Sequence, residues 1–111
     1  MKRRKTFYDH LVSTDEIEVE LNKLGFPEHE RIELLEIAEN TINYTVIDIV
    51  LSELKEEDKK TFLEHHAKSN YKTTLGFLKE RIDDLETRIK ESAGILKNNF
   101  IKDILELKNG L

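Results

Sequence analysis

The chain has 111 residues and a formal net charge of −5, with 38% hydrophobic and 37% charged residues. That is one domain's worth of chain, able to bury roughly two-thirds of its unfolded surface and too rich in apolar residues to be expected to stay disordered. The sequence has no cysteine, which excludes disulfides, thiolate catalysis, iron–sulfur ligation and zinc fingers.

One proline and four glycines are too few to punctuate a sandwich or barrel, which needs a turn about every 8–12 residues. No apolar run approaches the ~18 residues needed to cross a bilayer. The basic start is not followed by a signal-peptide core. The expectation is a cytoplasmic all-α protein without membrane contact: a small bundle of four to five helices with a long C-terminal helix.

In chain order, charge comes first. Lys2, Arg3, Arg4 and Lys5 are four of the 18 basic residues, leaving 14 against 23 acidic ones, a balance of −9. An acidic body repels phosphate backbones, so only this tetrad is suited to act as a nucleic-acid arm. Short basic ends more commonly keep a chain dissolved, and no aromatic or Gly-rich element interleaves this one. In "TFYDHLV", Phe7, Tyr8 and Leu11 can dock a short helix onto a neighbour. Residues 1–12 therefore read as an arm and short helix ahead of a single domain, 13–111.

"STDEIEVELNKLGFPEHE" predicts a helix over 14–24. Ser13 and Glu16 have capping-box spacing, and acidic residues in the first turn suit the helix dipole. Ile17, Leu21 and Leu24 share a face. Gly25 supplies the left-handed residue after the helix, Phe26 its apolar contact, and Pro27 the stop. Pro27 also opens a second helix over 28–54, with Ile32, Leu35, Ile42, Val46 and Ile49 in a stripe that Leu34, Ala38, Thr41 and Thr45 widen. "TINYTVIDIVL" is strand-like by propensity, but no second strand exists to pair with it.

"LSELKEEDKKTFLEHHAKSN" holds adjacent histidines in a third helix, 56–68. Phe62, Leu63 and His66 are expected on its inner side. His65 and His66 diverge by about 100° on a helix, so they cannot close on one metal ion. A helical metal pair needs i,i+4 spacing, where these histidines have Thr61 and Phe62. His66, four residues after Phe62, is expected to cover the edge of the core.

From Tyr71 onward Leu75, Leu78, Ile82 and Leu85 keep heptad spacing. The seam Leu85, Ile89, Ala93, Leu96, Phe100, Ile104, Leu107, Leu111 then has an ~11-residue repeat, which favours a straight or slightly right-handed seam over a left-handed coiled coil. The change of period, with Asp83 and Glu86 as a second capping box, predicts a break near Ile82 into helices 71–82 and 84–108. One helix of nearly forty residues would be unusual in a compact domain.

Three pieces, "LNKLGFPEHERIELLEIAE", "IVLSELKEEDKKTFLE" and "TLGFLKERIDDLETRIKE", make residues 21–89 similar to a small bacterial all-helical domain family of unknown function. In that family a Leu-Ser-Glu-Glu-Asp-like element opens the third helix. A proline commonly follows the Lys-x-Ile ending the fourth, where this chain has Asp83. The resemblance implies a bacterial, non-enzymatic helical module and carries over no catalytic or binding residue.

The residues point away from catalysis. His10, His29, His65 and His66 are scattered, and no Ser–His–acid grouping can be picked out. The carboxylates read as exposed Glu–Lys helix pairs such as Glu64–Lys68 and Glu86–Lys90, worth ~0.2–0.5 kcal/mol each. The glycines form no phosphate loop. No enzyme activity, cofactor or metal is expected.

Association remains. The stripe from Leu85 to Leu111, flanked by Ile95, Ile101 and Leu105, is wider than a two-helix seam requires. It either packs on the second helix and completes the bundle, or projects in part to pair with a twin or another helix. The leading expectation is a helical protein–protein interaction module, self-associating as a homo-oligomer through Leu96, Phe100, Ile101, Ile104, Leu105 and Leu107. The alternatives are a nucleic-acid- or ribosome-associated factor using Lys2, Arg3, Arg4 and Lys5, and an acidic regulator or inhibitor of a basic partner protein.

Overall fold

The computed structural model describes residues 6–68 and 70–108. They form five α-helices and no strand: α1 (Asp15–Lys23), α2 (Glu28–Glu53), α3 (Glu56–Ala67), α4 (Tyr71–Arg81) and α5 (Leu85–Lys108). No end differs from its expected position by more than one residue. The strand-like run from Thr41 to Leu51 lies inside α2.

α2 and α5 are the spine. With 26 and 24 residues they are about 39 and 36 Å long at 1.5 Å per residue, in a molecule 48 × 24 × 19 Å. They run antiparallel: Glu53 at the end of α2 is ion-paired with Arg88 at the start of α5, and Ala38 in the first half of α2 shares a cluster with Ile104 near the end of α5.

The buried residues of α2 are Ala38, Ile42, Val46 and Val50, with Leu54 following the helix in the same row. A strict four-residue step drifts about 40° per step around a helix, so one continuous row meets different neighbours at its two ends. Thr41, expected to widen the stripe, is exposed instead, its hydroxyl donating to the Ile37 carbonyl at 2.8 Å.

Two separate clusters result. The larger joins Ile42, Val46, Val50 and Leu54 to Phe62 of α3, Leu78 of α4, and Leu85, Ile89 and Ala93 of α5. Phe7, Tyr8 and Val12, together with Ile82 after α4, complete it. The smaller contains Ile17 and Leu21 of α1, Ala38 and Ile104, with Leu24, Phe26, Leu34, Leu35, Phe100 and Ile101 packed around them.

Residues 7–11 are turns rather than the expected short helix, closed by Asp9 N–H to Thr6 O (3.4 Å) and Leu11 N–H to Tyr8 O (2.9 Å). They belong to the core. Phe7 meets the rings of Tyr8 and Phe62 edge-on, at 5.2 and 5.9 Å between centroids. The Tyr8 hydroxyl donates to Asn43 Oδ1 at 2.9 Å. The expected boundary at residue 13 thus cuts through one hydrophobic cluster.

The helix ends show which local signals hold. Gly25, at φ 75, donates its N–H to the Asn22 carbonyl and ends α1 as expected. The capping box at Ser13 does not form: Thr14 is the N-cap, and Ser13 Oγ accepts only from the Asp15 N–H, at 3.2 Å. Thr14 takes a near-helical backbone (φ −99, ψ 9) rather than the extended one a capping side chain needs, and its hydroxyl is buried without a hydrogen-bond partner among the described residues.

The break after α4 is real. Ile82 is extended and buried, and Asp84 sits at φ 54, so the chain turns before Arg88 N–H bonds back to the Asp84 carbonyl. Glu86, expected to close a capping box on Asp83, is engaged by His10 and Lys79 instead.

Candidate functional site

The residues expected to form a partner interface divide between core and surface. Ile104 is 4% exposed and sealed against α1 and α2. Phe100 and Ile101 are partly buried in the same cluster, and Leu96 packs on the larger one. Only Leu105 (38%) and Leu107 (63%) are left in the open. The correction has a simple cause. α1 lies against the far end of the spine, so the wide stripe of α5 packs there against two helices of the same chain. Lys2, Arg3, Arg4, Lys5 and Leu111 lie outside the described residues.

Ile95, on the outer side of α5, is 62% exposed. The buried residues of this helix are Leu85, Ile89, Ala93 and Ile104. At 100° per residue, positions 91, 95, 98 and 102 fall on the side opposite that seam. All four are exposed. Tyr44 (75%) and Ile37 (53%), two turns apart on α2, are the other large apolar side chains in the open on the spine.

The histidines have structural surroundings. His66 stacks on Phe62 (5.7 Å, 21°) and meets Phe7 edge-on at 6.1 Å, covering the core edge as expected. Its Nδ1 is buried without a hydrogen-bond partner among the described residues. His65 points elsewhere, onto Phe77 at 5.6 Å. Leu63, expected beside Phe62, is 48% exposed, because adjacent helical positions are about 100° apart and Phe62 takes the inward direction. Among the described residues no three His, Asp or Glu are grouped to hold a metal ion, and no helix is long and apolar enough to cross a membrane.

Two polar clusters were not singled out in the sequence. Arg81 places its guanidinium 3.8 Å from the centre of the Phe77 ring, donates to the Phe77 carbonyl at 3.1 Å, and pairs with Asp58 at 3.3 Å, tying α4 to α3. The i,i+4 spacing of Phe77 and Arg81 was a readable signal; the Asp58 partner was not. Glu86 accepts from His10 Nε2 at 3.0 Å and Lys79 Nζ at 3.1 Å, joining the N-terminal turns, α4 and α5. Nothing in the sequence brings residues 10, 79 and 86 together, since only the folded chain does.

Hydrogen bonds from His10 and then Lys79 hold the Glu86 carboxyl below the ordinary glutamate range. A carboxyl with a lowered folded value contributes stability above its unfolded value, and that contribution is lost as pH falls through the folded one. Glu86→Gln is therefore expected to remove part of the acid-side loss of stability while leaving the stability difference between pH 8 and pH 9 unchanged. Thermal unfolding of both proteins across pH 3–9 checks this. Identical acid limbs in the two proteins would contradict it.

Compared with known proteins, the chain matches no family model, no curated protein and no solved structure.

Proposed function

We propose that this is a non-enzymatic helical module that acts by protein–protein association, pairing with itself through the C-terminal helix α5. The observation behind this reading is the exposure of Ile95, at 62%, on a helix whose opposite side is sealed into both clusters. Such a helix has a rigid backbone and leaves one long face free. Leu96, Phe100, Ile101 and Ile104 support the fold, and association falls to the outward residues. The clusters of ionisable groups described above are ion pairs and ring contacts that join one helix to another, as expected of a scaffold.

Light scattering over a hundredfold range of concentration tests the proposal. A mass that rises toward twice the 13.1 kDa chain mass supports it, and a strict monomer throughout defeats it. Deleting residues 95–111 would not test it, because the deletion also strips Phe100, Ile101 and Ile104 from the smaller cluster.

A further inference from the structure

The outer face of α5 carries a pattern unlike its buried seam. Arg88, Glu91, Ile95, Asn98, Lys102 and Leu105 step by three and four residues, the heptad rhythm of a helix pair. The buried residues Leu85, Ile89 and Ala93 step strictly by four. The two rhythms occupy opposite sides of one helix.

This outer stripe is self-complementary about the middle of the helix. The midpoint of Leu85–Lys108 falls between Leu96 and Lys97. Glu91 and Lys102 are equidistant from it, as are Ile95 and Asn98, and Arg88 and Leu105. A second α5 laid antiparallel across that midpoint sets Glu91 of each copy against Lys102 of the other. It sets Ile95 against Asn98, and Leu105 against the methylene stem of Arg88. A parallel pairing sets Glu91 on Glu91 and Lys102 on Lys102, which repel.

Charge complementarity therefore selects one orientation. Glu91 and Lys102 are free to make these contacts: both are exposed, and neither has an ion pair or hydrogen bond among the described residues. Arg88 is already steadied by Glu53. The acidic outer side of α2 offers no such match, because Arg31 is the one basic residue between Glu28 and Glu53.

We infer that the occupant of this face is a second copy of the chain, docked antiparallel α5 to α5 about a two-fold axis at the helix midpoint, with Glu91–Lys102 pairs fixing register and direction. Such an interface is isologous and closes as a dimer. With Ile95 and Leu105 as its apolar content, it is a salt-sensitive dimer of modest affinity.

The inference rests on the self-association proposed above, and a charge-swap set separates the two. Glu91→Lys and Lys102→Glu each oppose like charges twice per dimer, and each is expected to weaken dimerisation by about tenfold or more. The double variant Glu91→Lys/Lys102→Glu restores the pairs with reversed polarity and is expected to dimerise like the unaltered chain. Sedimentation equilibrium at low and high salt gives the dissociation constants, and helical circular dichroism confirms that these surface variants fold. Dimers insensitive to either single change, or not restored by the double, overturn the inference and leave self-association standing. A monomer at every concentration overturns both.

Discussion

Replacing Phe62 with alanine is expected to cost about 3–5 kcal/mol of unfolding free energy, the usual range for deleting a fully buried aromatic ring. Phe62 has no exposed surface and stands where the N-terminal turns and α3 meet the spine. Phe7 packs edge-on against its ring and His66 stacks on it. The substitution opens a cavity and also removes what the N-terminal turns rest on. Edge-to-face pairs are worth about 0.5–1.5 kcal/mol beyond area burial, so a double-mutant cycle of Phe62→Ala with Phe7→Ala is expected to show coupling of that size. Urea unfolding gives both quantities. Strict additivity would mean that residues 7–12 do not belong to the larger core.

Ile104→Ala is expected to cost about 2–5 kcal/mol, the range for truncating a buried aliphatic side chain, with a local signature. The smaller cluster has only four buried members: Ile17, Leu21, Ala38 and Ile104. Ile104 is the one supplied by α5. Without it α1 keeps contact with α2 but loses the most deeply buried part of its cover from α5, where only the partly buried Phe100 and Ile101 remain. Amide exchange in α1 should therefore rise well beyond exchange in α3 and α4, which are anchored in the other cluster. Uniform acceleration across all five helices would show the clusters to be one cooperative unit.

Much of this architecture was legible in the sequence, because apolar spacing and helix terminators are local. The Gly25–Phe26–Pro27 stop needs no tertiary partner, and the switch from heptad to four-residue steps near Ile82 marks the break before α5. What escaped was whatever depends on where the chain returns. In "TVIDIVL" almost every residue is apolar, so periodicity alone could not single out Val50, which is fully buried. The capping box at Ser13 fitted by spacing, but α1 starts one residue later, with Thr14 turned inward.

The C-terminal stripe shows the same limit. Its width was readable; that α1 covers the far end of the spine was not. Four residues expected at a partner surface proved wholly or partly internal, while the outer heptad row of charged and amide side chains did not register as apolar spacing. The Glu86 clasp likewise joins three segments that are distant in sequence.

On this reading α5 works on two sides, an inner side sealed within one chain and an outer side free to pair. The most direct test is an isotope-filtered nuclear Overhauser experiment on a mixture of labelled and unlabelled chains, reporting only contacts between copies. Cross-chain signals are expected between Ile95 and Asn98, and Ile104 signals to Ile17 and Leu21 only within a chain. Cross-chain signals from Ile104 to α1 would contradict it, since the inner seam would then be assembled by exchange of helices between copies.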